Sequence, residues 1–349
     1  MIKSWIFEFF PAPHEPGATE DPQRSADYFN WYLDLWPRAE PLGYEGIFFS
    51  EHHFGPAYSP APNLLIAQVA LRTRTIRLGI MGLVLPYYHP WRVVEEIGML
   101  DHLTQGRLEI GTSAGIPQEM AHVGMSVPEA RERNDEAIEI LDAALASPVI
   151  SHQGKYWQFE NLRLVPRPVQ RPHPPKWVTV ISEDSARKAA RRGAKICTGF
   201  HPTSRVRSIF DAYREEAARA GTPCGPEQLA LRRQVSIGAD DAAMRAAGQA
   251  REAIVRSRLL ADPRLSAPGR EAFDTPTSHA FTIGSDEFIA GGPEHVAEEA
   301  IAQCREVGAG HFLALFDRNA AGEELRDAWE MFGEAVVPLL RTAAVGCQR

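Results

Sequence analysis

The sequence predicts an α/β fold, a (β/α)8 TIM barrel with a hairpin insertion before the fifth strand and a lid-like insertion after the seventh. Three observations carry that expectation. Apolar runs alternate with amphipathic stretches from one end of the 349 residues to the other, giving eight strand–helix units. The runs are near-continuously apolar, as in strands covered on both faces, rather than alternating apolar and polar. One of them, Gly46 to Phe54 (GIFFSEHHF), passes straight from a buried pattern into Glu51, His52 and His53. In such a barrel, side chains at the C-terminal strand ends line the active site.

Taken in order, Ser4–Phe10 reads as the first strand. Ser25–Glu40 reads as a helix, with Tyr28, Trp31, Tyr32, Leu35 and Trp36 at helical spacing and Pro41-Leu42-Gly43 to stop it. Tyr44–Ser50 is the second strand, Pro62–Arg72 a helix, and Ile76–Leu85 the third strand, bounded by Pro86. The helix Pro90–Gln105 has proline in its first turn and Gly106 just past its end. Arg107–Thr112 is the fourth strand. Pro128–Ala146 is a long helix whose charged face (Glu129, Arg131, Glu132, Arg133, Asp135, Glu136) reads as solvated surface.

The alternation breaks between 148 and 175, where Val149–His152 and Tyr156–Phe159 flank Gln153-Gly154-Lys155 as a hairpin, followed by the proline-rich VPRPVQRPHPP. Lys176–Ser182 is then the fifth strand, Asp184–Arg192 a helix, Lys195–Phe200 the sixth strand, Ser204–Ala220 a helix and Leu229–Ile237 the seventh strand. Residues 240–290 hold an alanine- and arginine-rich helix and an irregular segment. Pro293–Val307 is a helix, His311–Phe316 the eighth strand and Glu323–Leu340 the closing helix. The whole chain, 1–349, is expected to be one domain carrying the two insertions.

Composition narrows the function. Hydrophobic residues make up 44%, enough for a sizeable core, and the net charge is −8. That balance argues against nucleic acid or an anionic membrane as the main partner, since both need basic patches. No apolar stretch reaches the roughly 18–20 residues of a membrane span. The N-terminal MIKSWIFEFFPAP, interrupted by Glu8 and followed by Pro11 and Pro13, reads as a strand rather than a signal peptide. Cys197, Cys224, Cys304 and Cys347 are widely spaced without a CxxC, which suits a cytoplasmic protein and no zinc site.

Three further segments join GIFFSEHHF: IRLGIMGLVLPYYHPWRVVEEIGMLDHLTQGRLEIGTSAG from Ile76, VTVISEDSARKAARRG from Val178, and GGPEHVAEEA from Gly291. In order and spacing the chain resembles the bacterial luciferase-like flavin-dependent monooxygenases, from the first strand to the closing helix. The resemblance implies a (β/α)8 barrel, reduced FMN supplied by a separate flavin reductase, and O2 activated as a flavin hydroperoxide. It also implies a small hydrophobic organic substrate, such as an aldehyde or ketone, and dimeric assembly, with a homodimer expected.

Site residues follow from the same resemblance. His52 matches the histidine implicated as a base near the flavin. Glu51 and His53 would orient it or pack within the barrel mouth, and Tyr87 and Tyr88 would line the substrate side. Met81-Gly82 aligns with a non-prolyl cis peptide in a strand that bulges behind the flavin ring. Ser182 and Ser185 match hydroxyls that bind the FMN phosphate, although on the residues alone plain N-capping of the helix is the better account of them. Thr112, Ser113 and Gly115 are small enough to line the flavin.

The chain departs from the luciferases in one place. Their reactive cysteine and phosphate-binding arginine are Ser113 and Ala114 here, so another basic residue has to supply the charge. Phe273, Phe281 and Ile283 are candidates to close over the substrate from the 240–290 segment. A metal site is not expected, because adjacent histidines on a strand point to opposite faces and no carboxylate triad accompanies them. His89 is expected to be structural, and Arg92, Glu95, Glu96 and Asp101 to form helix-surface or packing ion pairs. Two alternatives stay open, a deazaflavin-dependent oxidoreductase of the same superfamily and a non-catalytic flavin-binding subunit.

Overall fold

The computed structural model describes residues 1–13, 18–54, 57–261, 285–317 and 322–346, without the side chains of 255–261. Its centre is a closed barrel of eight parallel strands: β1 (Lys3–Glu8), β2 (Gly46–Phe49), β3 (Arg77–Val84), β4 (Leu108–Ser113), β7 (Lys176–Thr179), β8 (Lys195–Thr198), β9 (Leu229–Ile237) and β11 (His311–Phe316). Pairing of β1 with β11, Lys3 opposite His311, and of β8 with β9, Ile196 opposite Leu229, closes the ring. A closed sheet leaves no edge, and each strand is covered outside by helices and inside by its neighbours. That is why GIFF is buried at all four positions.

The helices that clothe the barrel are α1 (Pro22–Leu35), α2 (Pro62–Arg72), α3 (Pro90–Leu103), α4 (Pro117–His122), α5 (Val127–Ala146), α6 (Glu183–Arg191), α7 (Thr203–Ala220), α8 (Asp241–Ala261), α9 (Pro293–Val307), α10 (Glu323–Met331) and α11 (Val337–Thr342). The predicted first helix begins earlier than expected because Asp21 caps it, accepting from the amides of Gln23 and Arg24. It also ends earlier. Pro37 lacks an amide donor, and the chain tightens into a 3-10 turn over Trp36–Ala39.

The inside of the barrel is filled by Trp5, Phe48, Met81, Trp177, Cys197, Ala230 and Leu313. Trp5 stacks on Phe48 with ring centroids 4.7 Å apart and donates from Nε1 to His311 Nδ1 at 2.9 Å. Trp177 donates from Nε1 to Glu109 at 2.6 Å. Each buried indole thus has a partner for its N–H, as low-dielectric burial requires. The floor is packed solid, and any ligand site lies above it at the C-terminal strand ends.

The hairpin insertion is seen where it is expected. β5 (Val149–Gln153) and β6 (Gln158–Arg163) form an antiparallel hairpin. Glu136 of α5 holds its turn by accepting from the amides of Lys155, Tyr156 and Trp157. The second insertion holds α8 and a short strand, β10 (Phe288–Gly291). β10 pairs with β9 from Gln234 to Ile237, on the edge that β8 occupies further down. Phe273, Phe281 and Ile283 lie outside the described residues. Among the described residues no helix is long and apolar enough to cross a membrane.

Candidate active site

His52 lies three residues beyond Phe49, the last paired residue of β2, at the barrel mouth. The chain there is still tied to its neighbours, Ser50 donating its amide to Glu8 O at 2.9 Å and His52 to Ser59 O at 3.3 Å. The imidazole is fixed on two sides. Its Nδ1 lies 2.8 Å from Glu119 Oε1, and its ring stacks on Phe9 at 4.3 Å with an interplanar angle of 25°. Glu119 is buried, while His52 keeps 22% of its side-chain surface exposed. With Nδ1 engaged, Nε2 is the nitrogen left for chemistry.

Glu119 was not a sequence candidate. It sits on α4, a six-residue helix opened by Pro117 in the loop after β4, too short to leave a periodic pattern. Of the two roles expected for Glu51, orienting His52 or packing within the barrel mouth, its contacts fit the second: fully buried, it accepts from His53 Nε2 at 2.8 Å, the Tyr88 hydroxyl at 3.0 Å and the Val84 amide at 3.1 Å. Its two oxygens are thereby used to tie the end of β2 to the end of β3. The Glu51 carboxylate holds the His53 imidazolium above its ordinary pKa, against the opposing effect of burial. The two adjacent histidines therefore go to two different carboxylates. Among the described residues no cluster of three or more His, Cys, Asp or Glu is placed to hold a metal.

The two tyrosines of PYYHP differ. Tyr88 is a strut, its hydroxyl committed to Glu51. The Tyr87 ring packs edge-on to His53 at 5.3 Å, and its buried hydroxyl has no partner. Burial and the nearby carboxylates of Glu119 and Glu51 push that phenol up to about 12. His89 is exposed and makes no capping bond, and Arg92 pairs with Glu96 at 2.8 Å along α3. Asp101 accepts from both nitrogens of Gln170, anchoring the proline-rich crossing.

β3 bulges against β4, with the register shifting between Ile80 and Leu83, and the Met81-Gly82 peptide bond is cis. The strands approach so closely that a Cβ on Gly82 would stand 2.7 Å from the carbonyl carbon of Thr112 and 2.8 Å from its oxygen. The Thr112 hydroxyl is turned away to the Trp177 carbonyl. Ser113 accepts the Gly115 amide at 3.1 Å, which shapes the small-residue loop Ser113-Ala114-Gly115. Gly115 itself has φ +88°, a conformation side chains rarely adopt.

Across the mouth, Ser182 and Ser185 form a reciprocal capping box at the start of α6, the N-capping geometry that sequence alone could not separate from ligand binding. Two basic residues gather there. Arg205 of α7 is bidentate to Glu183, at 2.7 Å for one of the two contacts, and its Nε is buried without a partner. His201, 2% exposed after β8, packs against the Ile181 backbone. Burial and the guanidinium groups of Arg205, Arg233 and Arg232 push this imidazole down to about 4.

A packed barrel floor, a cis-peptide bulge and a held imidazole come together at the C-terminal mouth, the end of the barrel at which active sites of this fold lie. The family model described as luciferase-like monooxygenase matches residues 6–311, and the chain belongs to that family. It is 35% identical to the uncharacterized protein y4wF of Sinorhizobium fredii, over 84% of this chain and 86% of that one. It is 31% identical to the oxygenase component of the flavin-dependent trigonelline monooxygenase of Acinetobacter baylyi, over 50% of each. The crystal structure of the monooxygenase RslO1 from Streptomyces bottropensis superposes with a TM-score of 0.81 at 26% identity, covering 97% of this chain and 99% of that one. The protein is accordingly a luciferase-like, flavin-dependent monooxygenase.

Proposed function

We propose that this enzyme takes reduced FMN from a separate reductase and uses it with O2 to oxygenate a small hydrophobic aldehyde, ketone or similar molecule. The observation that carries the reading is the imidazole of His52, fixed by Glu119 and Phe9 with Nε2 free at the mouth. The residues present fit a phosphorylated flavin. The Gly82–Thr112 approach and the Ser113–Gly115 loop bring backbone and small side chains together, and Tyr87 and Arg205 each have a buried polar atom without a partner. Separate delivery of the flavin is supported by the trigonelline relative, whose name marks it as the oxygenase component of a flavin-dependent system.

Reduced FMN, when bound, supplies the electron pair by which one oxygen atom of O2 enters the substrate and the other leaves as water. His52 would accept or return a proton at Nε2 while Glu119 holds its orientation. Met81, Gly82, Thr112 and Ser113 would back the ring, and Ser182 and Ser185 would meet the phosphate. Phe9, Tyr87 and His53 would face the substrate and exclude water from the reaction. Oxygen uptake by the protein with reduced FMN, and product formation from a panel of aldehydes and ketones, test the reading.

A deazaflavin-dependent oxidoreductase is the second reading, favoured by Ser113-Ala114-Gly115, which lacks the luciferases' cysteine and arginine. Hydride transfer to or from a reduced deazaflavin, without oxygen uptake, would select it. Flavin binding without turnover of any substrate would select a non-catalytic subunit. We place the enzyme in the cytoplasm and propose a homodimer. Leu64 and Leu71 of α2 and Met99 and Leu103 of α3 are 66%, 65%, 54% and 47% exposed on neighbouring helices, an apolar face suited to a second copy. Light scattering of the purified protein tests that assembly.

A further inference from the structure

The upper part of β9 carries two buried polar side chains that the fold engages only in part. We propose that Arg232 and Gln234, both pointing inward from β9, form a subsite that holds the carbonyl oxygen of the substrate. The proposal rests on the monooxygenase reading above and adds the residues that recognise the substrate's oxygen.

Alternation along β9 sets the direction of both side chains. Ala230 belongs to the packed floor inside the barrel, so Arg232 and Gln234, two and four residues nearer the mouth, point inward as well. Arg233 between them points outward, where Gln303, Thr203 and Glu287 take its guanidinium. The Arg232 guanidinium lies over the Phe7 ring at 5.5 Å, and Phe7 packs on the floor. Phe9, two residues further along the same chain, stacks on His52. The upper part of β9 and the His52 imidazole therefore border one space, on either side of the end of β1.

The surroundings are shaped around this arginine. A Cβ on Gly199, just past β8, would fall on its guanidinium. Phe200 follows with φ +64°, a conformation bulky residues rarely adopt, and its ring centroid lies 3.9 Å from Arg232 Cζ. Glu287 fixes both, accepting from the Phe200 amide at 2.9 Å and from Arg232 Nη2 at 3.0 Å. Backbone strain of this kind persists where the surrounding structure enforces it, and it clusters at ligand clamps. Among the described residues the bond to Glu287 is the one hydrogen bond of the Arg232 side chain, which leaves Nε and Nη1 for a ligand. Gln234 is 2% exposed, and its Nε2 has no partner among the described residues. An unpaired buried amide costs about 1–3 kcal/mol, which an arriving acceptor recovers.

Charge selects the class of ligand. Arg232 and Arg233 face Glu287, with Asp286 also bearing on Arg233, and Arg251 of α8 faces Asp317 at 3.6 Å. Cations and carboxylates are matched around the subsite, so an anion would leave a net charge buried. Two converging N–H donors then call for a neutral oxygen without a hydrogen of its own, which is a carbonyl. The guanidinium polarises that carbonyl, and the hydrocarbon of the substrate lies against Phe7 and Phe9.

The test pairs cyclohexanone with methylenecyclohexane and hexanal with 1-heptene, in which a C=CH2 group replaces C=O. Dissociation constants for the full chain, with and without FMN, are measured by ligand-detected NMR. The infrared C=O stretch of bound cyclohexanone is recorded alongside. The unaltered protein is expected to favour each carbonyl over its alkene by about 10- to 100-fold, the scale of a hydrogen bond to a charged group, with the stretch below its value in water. R232Q is expected to abolish that preference and return the stretch towards the water value, with R232K in between. Q234M keeps the shape of the side chain and should narrow the preference by about two- to fivefold. It should also raise the unfolding midpoint of the ligand-free protein, since an unpaired buried amide is replaced by a thioether. Alkene binding within about twofold of the parent certifies that a variant is folded, and Q234M carries the test if R232Q does not fold. Equal binding of carbonyl and alkene, no binding of either carbonyl to the FMN-loaded protein, or a preference untouched in both R232Q and Q234M overturns the proposal. Failure of FMN to bind while the carbonyl preference holds overturns the flavin reading and leaves the subsite standing.

Discussion

Glu119 Oε1 lies 2.8 Å from Nδ1 of His52, joining the loop after β4 to the end of β2 across the barrel mouth. One carboxylate thereby engages Nδ1 and leaves Nε2 as the nitrogen open for chemistry. Loss of that hold should degrade the chemistry more than the binding. E119Q is expected to lower kcat by about 10- to 100-fold, a fraction of the loss on removing a general acid–base group. Flavin affinity and substrate KM should stay within about threefold. More of the oxygen consumed should appear as hydrogen peroxide, which a peroxidase-coupled assay measures alongside product.

Glu8 is a buried carboxyl just behind that site, accepting from the Phe10 amide at 2.7 Å and Trp36 Nε1 at 2.9 Å. These bonds shape the turn that lays Phe9 on His52. Burial raises its pKa from 4.5 to about 7. The folded chain therefore binds more protons than the unfolded chain between those values. Stability from this group is complete below about pH 4.5 and is lost as the pH rises through about 7. The loss amounts to about 3 kcal/mol across that window. Urea denaturation of the parent and E8Q at pH 5 and pH 8 should show the parent losing more stability than the variant between the two.

His53 should titrate above the ordinary histidine value because Glu51 stabilises its charged form. Its contribution to stability is full below that ordinary value and disappears as the pH rises through the raised one. In E51Q the NMR titration of His53 should move to lower pH. E51Q should also loosen the end of β3, since the Val84 amide and Tyr88 hydroxyl depend on the same carboxylate.

Gly111 has no room for a side chain, because a Cβ there would fall on the Ile80 carbonyl oxygen of the bulged strand. Backbone cannot yield as a flexible side chain does. G111A is expected to cost about 1–3 kcal/mol by overpacking, read by urea denaturation, and to weaken flavin binding through the displaced bulge.

The barrel was legible because its signal is additive. Eight covered strands each leave an apolar run, and the joining helices leave their own period, so an error at one boundary does not change the architecture. The Met81-Gly82 bond was legible through the family pattern, as was the place of His52. Glu119 and Arg205 were not. Glu119 stands on a helix of six residues that leaves no period, and Arg205 is one of several charged residues on α7; only the folding of the loop after β4, or of α7 against α6, sets each apart. For Glu51 the sequence left two roles open, orienting His52 or packing within the barrel mouth, because adjacency along the chain does not say where a side chain reaches; successive side chains at a strand end diverge, and its reach is to His53 and Tyr88.

The most direct test supplies the purified enzyme with FMN, a flavin reductase and a panel of aldehydes and ketones under 18O-labelled dioxygen. Product mass is compared between the parent and H52N. The account expects one labelled oxygen atom in the product of the parent, and a fall of about 100-fold or more in its rate of formation in H52N with flavin still bound. Product oxygen drawn from water, or substrate oxidised by hydride transfer to a deazaflavin with no oxygen consumed, would contradict it.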